Sequence, residues 1–159
     1  MKKFELTSEF VTFLGKKLFR IKALISFGNV EEGELGGYVE KEENLSNDGN
    51  AWVSGNARVS GDAEVSGNAR VYGNAEVSGD AMVHDNADYA TVQGFGSEYR
   101  TTTFFRTKAG DIGVRCGCFY GTLDDFRKKV KETHGDSKTA KEYLMVADLM
   151  EFRFSEEEA

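Results

Sequence analysis

A six-residue period of alanine, variable and valine positions runs through the middle of the chain. Between Gly49 and Gly79 the sequence reads GNAWVSGNARVSGDAEVSGNARVYGNAEVSG. Residues two apart in a strand share a face, so the alanine and the valine of each unit can both point inwards. The Asn, Asp and Gly residues between units suit tight corners. A helix does not fit, because a six-residue period drifts around a helix of about 3.6 residues per turn.

Three such units make a triangular coil of about 18 residues, with stacked coils roughly 4.8 Å apart. Residues separated by that number should then lie over one another. Arg58 falls under Glu76, which brings opposite charges together, as stacked strands favour. Asp62 falls under Asp80, the like-charged exception. That column could hold a cation, or it could be two solvated aspartates at a corner.

The hexads over residues 50–91 resemble the hexapeptide-repeat, left-handed β-helix family. The sequence stretches RIKAL, GELGGYVE and EENLS precede these hexads. With them, the chain resembles uncharacterised repeat proteins of Firmicutes and their phages. This second resemblance covers the whole chain and implies no known activity. Together they imply a mainly β protein: a short left-handed parallel β-helix of two to three coils, with an N-terminal β-rich cap and a C-terminal ββαα cap. We expect the N-terminal cap at residues 1–43, the β-helix at residues 44–95 and the C-terminal cap with its acidic tail at residues 96–159.

The N-terminal segment is rich in strand-forming residues on both sides of a short turn. The runs KFEL, FVTFL and LFRIKALISF flank Gly15-Lys16, which predicts a hairpin. A helix over residues 8–24 is the alternative, and Gly15 in its middle weakens it.

The C-terminal segment loses the six-residue period and shows signals for strands followed by helices. TTTFFRT and IGVRCGCFY read as two strands joined by a turn at residues 108–111. Thr122 can cap a first helix that ends at Gly135. Ser137 or Thr139 opens a second helix. The phenylalanines of this segment are expected in its core, and the acidic tail at 156–158 is expected to be disordered.

Charge is unevenly distributed along the chain. The net charge is −7, and residues 44–95 carry seven carboxylates against two arginines, or −5 of that total. An acidic repeat does not suit a phosphate backbone, so no direct nucleic-acid binding is expected; a basic protein partner is. No apolar run follows Met1, and no stretch is long enough to span a membrane. We therefore expect a cytoplasmic protein of a bacterium or a phage-infected cell.

Residues capable of catalysis or metal binding are few. His84 is the only histidine of the repeat and the one weak candidate for a general base, although a surface role is the more ordinary interpretation. Cys116 and Cys118 read as buried strand cysteines. A metal site would need two further ligands, and only His134 offers itself. We expect no metal and no cofactor.

Binding candidates lie on the outward positions of the repeat. Trp52 and Tyr72 share a predicted face, with Arg70 stacked over Trp52, and such a group can anchor an interface. The same surface could instead be covered by a flanking segment or a second copy. The acidic candidates are Glu64, Glu76, Asp62 and Asp80.

These observations predict a non-enzymatic binding protein. The phage resemblance suggests one version, an inhibitor of a host or defence protein of CRISPR type, whose acidic faces occupy a basic, nucleic-acid-binding surface. One alternative is a hexapeptide-type acyltransferase with its site at a trimer seam. Another is an oligomer that sequesters a small nucleotide between its subunits, through the basic patches of the C-terminal segment and not through the repeat. A homo-oligomer, either a dimer or a trimer, is a further possibility, and the acyltransferase alternative requires the trimer.

Overall fold

A computed structural model describes residues 2–96 and 98–155. The chain is mainly β, with several small sheets and two helices at its C-terminal end. The strands are β1 Phe4–Phe13, β2 Lys16–Ala23, β3 Leu35–Val39, β4 Trp52–Val53, β5 Arg58–Val59, β6 Glu64–Val65, β7 Arg70–Val71, β8 Glu76–Val77, β9 Met82–Val83, β10 Tyr89–Phe95, β11 Arg100–Arg106, β12 Ile112–Cys116 and β13 Phe119–Thr122. The helices are α1 Leu123–His134 and α2 Lys138–Phe154.

The first sheet joins the N-terminal segment directly to the repeat, in the order β1-β2-β3-β5-β8. The predicted hairpin is confirmed: β1 and β2 pair antiparallel around Leu14 and Gly15, both with positive φ. Strand β3 then runs antiparallel to β2 and parallel to β5, with Val39 opposite Val59. The N-terminal strands therefore extend a sheet of the repeat rather than closing one of its ends.

The repeat forms strands of only two residues, paired in parallel with the strand 18 residues away. Arg58 pairs with Glu76, as the sequence predicts, and Trp52 pairs with Arg70. The valines point inwards and are completely buried. The alanines of the same units, from Ala51 to Ala81, are equally inaccessible. Alternate residues therefore do share the inner face, and the 18-residue spacing is confirmed.

The predicted fold class, a left-handed parallel β-helix with two caps, is wrong. Within residues 2–96 and 98–155 there is no solenoid: the short strands of the repeat fall into a five-stranded sheet and two separate two-stranded sheets, β4-β7 and β6-β9. The five-stranded sheet takes three of its members from the N-terminal segment. Two-residue strands leave most of each unit in turns, and the hairpin provides the long strands that the repeat lacks. The molecule is thus a mainly β assembly of small sheets.

The C-terminal segment contains more strands than the predicted ββαα arrangement. Strands β10-β11-β12-β13 form an antiparallel sheet in that order. The stretch IGVRCGCFY divides at a turn around Gly117, whose φ is +59°. Helix α1 is capped by Thr122 and is terminated by Gly135, as the sequence predicts. Ser137 caps α2, so the first of the two predicted starts of that helix is confirmed.

Two apolar clusters make up the core. One lies inside the repeat and includes Phe4 and Ile21 from the hairpin and Phe105 from β11. The other lies between the four-stranded sheet and the helices, around Phe104, Phe126 and Tyr143. Consecutive residues of β11 point to opposite faces, so this strand contributes to both clusters. Strand β11 therefore fastens the C-terminal segment to the repeat.

Two further expectations concern the acidic C-terminal tail and the absence of a membrane-spanning segment. The acidic tail at 156–158 lies outside the described residues. Within residues 2–96 and 98–155, neither helix combines the length and the apolar character needed to cross a membrane.

Candidate functional site

A pocket of about 270 Å³ opens between the four-stranded sheet and α1. It lies where β11 begins and β12 ends, and the last turns of α1 form its other side. Its lining combines aromatic rings with charged groups, which is the composition typical of a small-molecule site. The described lining residues are Gly96, Glu98, Arg100, Cys116, Phe119, Phe126, Lys129, Val130, Thr133, His134 and Tyr143.

Aromatic rings make up the inner part of this pocket. Tyr143 of α2 packs edge-on against Phe126 of α1, with ring centroids 5.7 Å apart. The His134 imidazole stacks on the Tyr143 ring at 6.0 Å with an interplanar angle of 26°. Phe119 of β13 completes the group, 6.0 Å from Phe126. These rings come from three different elements, so only the packed tertiary structure brings them together.

Positive charge lies at the rim of the pocket. Arg100, the first residue of β11, and Lys129, on α1, are both exposed and line the opening. Arg100 pairs with the carboxylate of Glu98. A Cβ at Gly117 would lie too close to the Arg100 guanidinium, so a side chain there would require Arg100 to move. The turn that divides β12 from β13 thus leaves space for Arg100.

Tyr143 and Cys116 also contribute polar groups to the lining of the pocket. Burial raises the pKa of the Tyr143 hydroxyl above its ordinary value, while the Arg100 charge acts in the opposite direction. The Cys116 sulfur accepts a hydrogen bond of 3.2 Å from the Thr102 hydroxyl. Tyr143 is thus protonated at neutral pH and can donate a hydrogen bond to a bound molecule.

The pocket could not be recognised from the sequence, because the residues that line it look like core residues. Phe119 and Phe126 were expected only as packing residues, yet they also line the opening. The two cysteines were expected in one strand and buried. Cys116 is half-buried and ends β12, whereas Cys118 lies in the turn and is exposed, so the prediction is wrong for Cys118. Lys129 belongs to the basic run at residues 127–131, which the sequence alone favours as a solvated helix face.

The predicted aromatic anchor of the repeat is separated in the structure. Trp52 is only 3% exposed, because the Phe27 ring covers it edge-on at 5.3 Å. Arg70 is half-buried beside it in the paired strand. Tyr72, by contrast, is 66% exposed. Of the alternatives left open by the sequence, cover by a flanking segment describes Trp52.

Lysines balance two of the four acidic candidates. The Asp62 carboxylate lies 2.9 Å from Lys41 Nζ, and this hydrogen bond lowers the pKa of Asp62. Glu64 pairs with Lys108 at 3.3 Å. Lys41 thus neutralises Asp62, one of the two carboxylates between which a cation could lie.

The other two acidic candidates lie near the C-terminal sheet. The backbone N–H of Asp80 donates to the Tyr120 hydroxyl at 3.3 Å. Glu76 is half-buried near the basic side chains of Arg58 and Arg115. The backbone N–H of Glu76 donates to the Thr103 hydroxyl at 2.9 Å. The acidic residues of the repeat therefore do not form one open carboxylate surface.

His84 lies in a shallow groove of about 680 Å³ along β6 and β9. The Nδ1 atom of His84 lies 3.0 Å from the hydroxyl of Ser66, which is 18 residues earlier in the sequence. The carboxylate of Asp88 accepts hydrogen bonds from the backbone N–H groups of His84 and Asp85, not from the imidazole. A general base needs a group that orients its ring, and this acid does not serve that role.

The described residues contain no group of three metal-binding side chains close enough to share an ion. No family model matches the chain. No curated protein is similar to it either, so the chemistry of these residues is the basis for interpreting the site.

Proposed function

We propose that this protein is a non-enzymatic binding protein whose C-terminal pocket takes a small aromatic anion of the nucleotide class. The observation that carries the proposal is the convergence of aromatic rings and two cationic side chains, Arg100 and Lys129, on one opening. A nucleotide combines a flat base with a phosphate, and each part has a matching surface here. The proposal modifies the nucleotide-sequestering alternative, because the nucleotide would lie within one chain and not between subunits.

The base would lie against the rings of Phe126, His134 and Tyr143. Stacking of a base on an aromatic side chain contributes about 1–3 kcal/mol and tolerates any base, because every base has a π-face. The pocket volume of about 270 Å³ is slightly below the usual range for ligand sites, roughly 300–1,000 Å³. This size favours a mononucleotide over a dinucleotide.

The phosphate would lie at the rim, between Arg100 and Lys129. The planar guanidinium can bind two phosphate oxygens at once, and the lysine adds a mobile point charge. In the absence of a ligand, the Arg100 guanidinium is paired with the Glu98 carboxylate. A phosphate would therefore compete with Glu98, and Glu98→Gln is expected to increase the affinity.

Isothermal titration calorimetry with AMP, adenosine and inorganic phosphate tests the proposal. AMP should bind more tightly than either fragment, because only AMP uses both the rings and the cations. GMP, CMP and UMP should bind within about tenfold of AMP if stacking dominates over base-edge recognition. No heat of binding with any of the four nucleotides at low salt would overturn the proposal.

Lys129 and Lys128 provide a matched pair of variants. Both lysines are exposed on α1, but only Lys129 lines the pocket. Lys129→Ala should weaken AMP binding about fivefold, corresponding to roughly 1 kcal/mol. Lys128→Ala changes the net charge by the same amount and should leave binding unchanged. Equal losses in the two variants would indicate a general charge effect and not this site.

A second candidate function is the binding of a basic protein partner along the groove of β6 and β9. The favouring observation is an exposed apolar side chain, Met82, among carboxylates that include Glu43 and Glu64. Such a surface can join an apolar contact to charge attraction. Inhibition of a nucleic-acid-binding host or defence protein, by occupying its basic surface, is the specific form of this candidate.

A pull-down from bacterial lysate distinguishes this second candidate. The immobilised protein should retain a basic protein at low salt and release it at high salt, since the attraction is screened. Retention should be lost in the double variant Glu43→Lys, Met82→Lys and kept in Lys129→Ala. A partner retained equally at low and high salt, or equally by the double variant, would contradict this candidate.

A further inference from the structure

Helix α2 exposes a row of large apolar side chains on the side facing away from the core. Met145 is 71% exposed, Leu149 57% and Phe152 78%. Their spacing of four and three residues places them along one side of the helix. The opposite side, with Tyr143 and Met150, is buried against the sheet. Rows of this size are seldom left open to water, so they mark an interaction surface.

An open groove lies next to this row. It has a volume of about 740 Å³ and is lined by Val92 of β10 together with Leu149 and Phe152. Strand β10 is at the edge of its sheet and pairs only with β11. A ridge of side chains from another helix can fit into such a groove. The surface therefore contains both a ridge and a place to receive one.

Charges at the two ends of the row indicate what covers it. Glu142 lies near the start of the row and Arg153 near its end, about 16 Å apart along the helix. Neither side chain forms an ion pair with another of the described residues. In a parallel pair of helices, each of these charges would meet its own counterpart. In an antiparallel pair, each Glu142 approaches the Arg153 of the other helix.

We propose that α2 is a homodimer interface, in which two copies of this chain pack their α2 helices antiparallel about a two-fold axis. Leu149 lies close to the axis, and Met145 of one copy faces Phe152 of the other. Two Glu142–Arg153 ion pairs form at the ends, one on each side of the axis. A two-fold axis requires a self-complementary surface, and this arrangement of charges satisfies that requirement.

Size-exclusion chromatography with light scattering tests the dimer on the intact protein. At about 100 µM, wild type should be a dimer, as expected for a dissociation constant in the micromolar range. Leu149→Lys should shift it to a monomer with unchanged far-UV circular dichroism. Tyr72→Lys, a similar change at an exposed aromatic of the repeat, should leave the dimer intact. A monomeric wild type, or a dimer unaffected by Leu149→Lys, would overturn the proposal.

A charge exchange tests the antiparallel orientation. Glu142→Arg and Arg153→Glu should each weaken the dimer, because each places like charges together. The double variant should regain most of the lost affinity, since the exchanged pair is again opposite in charge. Failure of the double variant to regain affinity would rule out this arrangement.

Discussion

None of the described carboxylates forms an ion pair with the ammonium group of Lys3. The residue is 1% exposed, and its Nζ donates to the backbone oxygen of Ala51 at 2.7 Å. Its ammonium also lies over the Phe27 ring, 4.6 Å from the centroid. Burial lowers the pKa of Lys3 to about 8. The N-terminal residues are therefore tied to the first unit of the repeat at the cost of a partly desolvated charge.

The free energy of unfolding should respond to the titration of Lys3. Between about pH 8 and its ordinary pKa, the unfolded chain binds the proton that the folded chain has lost. Stability from this group therefore increases with pH across that window, by an amount on the order of 3 kcal/mol. Urea unfolding of wild type and Lys3→Met from pH 7.5 to 10.5 measures it. The rise should be present in wild type and reduced in the variant; parallel profiles would contradict it.

Glu76 should show the opposite linkage. Its Oε2 is buried without a hydrogen bond, and burial raises the pKa of its carboxyl despite the nearby Arg58 and Arg115. The stability that this group contributes is full below its unfolded pKa and is lost as pH rises through the folded value. Glu76→Gln should therefore unfold at higher urea than wild type at pH 7, with a smaller difference at pH 4. A variant that is less stable at pH 7 would show that the arginines outweigh burial.

At the scale of the element, corner glycines separate backbone strain from stacking. Gly67 and Gly73 have nearly the same positive φ, +62° and +67°. A Cβ at Gly67 would lie 2.4 Å from the His84 carbonyl oxygen, whereas nothing lies within 4 Å of one at Gly73. The two corners thus differ in the neighbouring backbone that covers them and not in conformation.

Alanine substitution at these two corners should have unequal effects on stability. Gly73→Ala should cost about 1–2 kcal/mol, from the left-handed backbone alone. Gly67→Ala should cost about 1–3 kcal/mol more, because the chain must move away from His84. Equilibrium urea denaturation of the two variants provides the comparison. Equal losses of stability would mean that the backbone around His84 moves away from Gly67 at little cost.

At the scale of the whole molecule, Phe105 joins the repeat to the C-terminal segment. It is completely buried in the cluster of the repeat, while Phe104 beside it packs into the other cluster. Arg115 adds a polar link by donating to the Ser78 hydroxyl at 2.9 Å. The two clusters therefore share one strand and should unfold together.

Phe105→Ala should destabilise the entire chain by about 3–5 kcal/mol. In wild type, fluorescence of the single tryptophan, Trp52, reports the repeat, and far-UV circular dichroism reports largely the helices. The two signals should change at the same urea concentration, as expected for a cooperative transition. Separate transitions in wild type would show that the segments are independent.

The sequence by itself determined the features that depend on local chemistry and periodicity. Alternate alanines and valines required a shared inner face, and glycines at fixed intervals required corners, so the 18-residue pairing could be predicted. The hairpin at Gly15 and the helix ends at Thr122 and Gly135 likewise follow from backbone preferences.

Only the tertiary structure decided how these parts combine. Edge pairing between β3 and β5 depends on long-range contact, and it placed the hairpin in a sheet of the repeat and removed the predicted solenoid with caps. The cover of Phe27 over Trp52 and the meeting of Arg100 with Lys129 arise in the same way. A six-residue pattern specifies which side chains point inwards, but not which distant surface packs against those that point outwards.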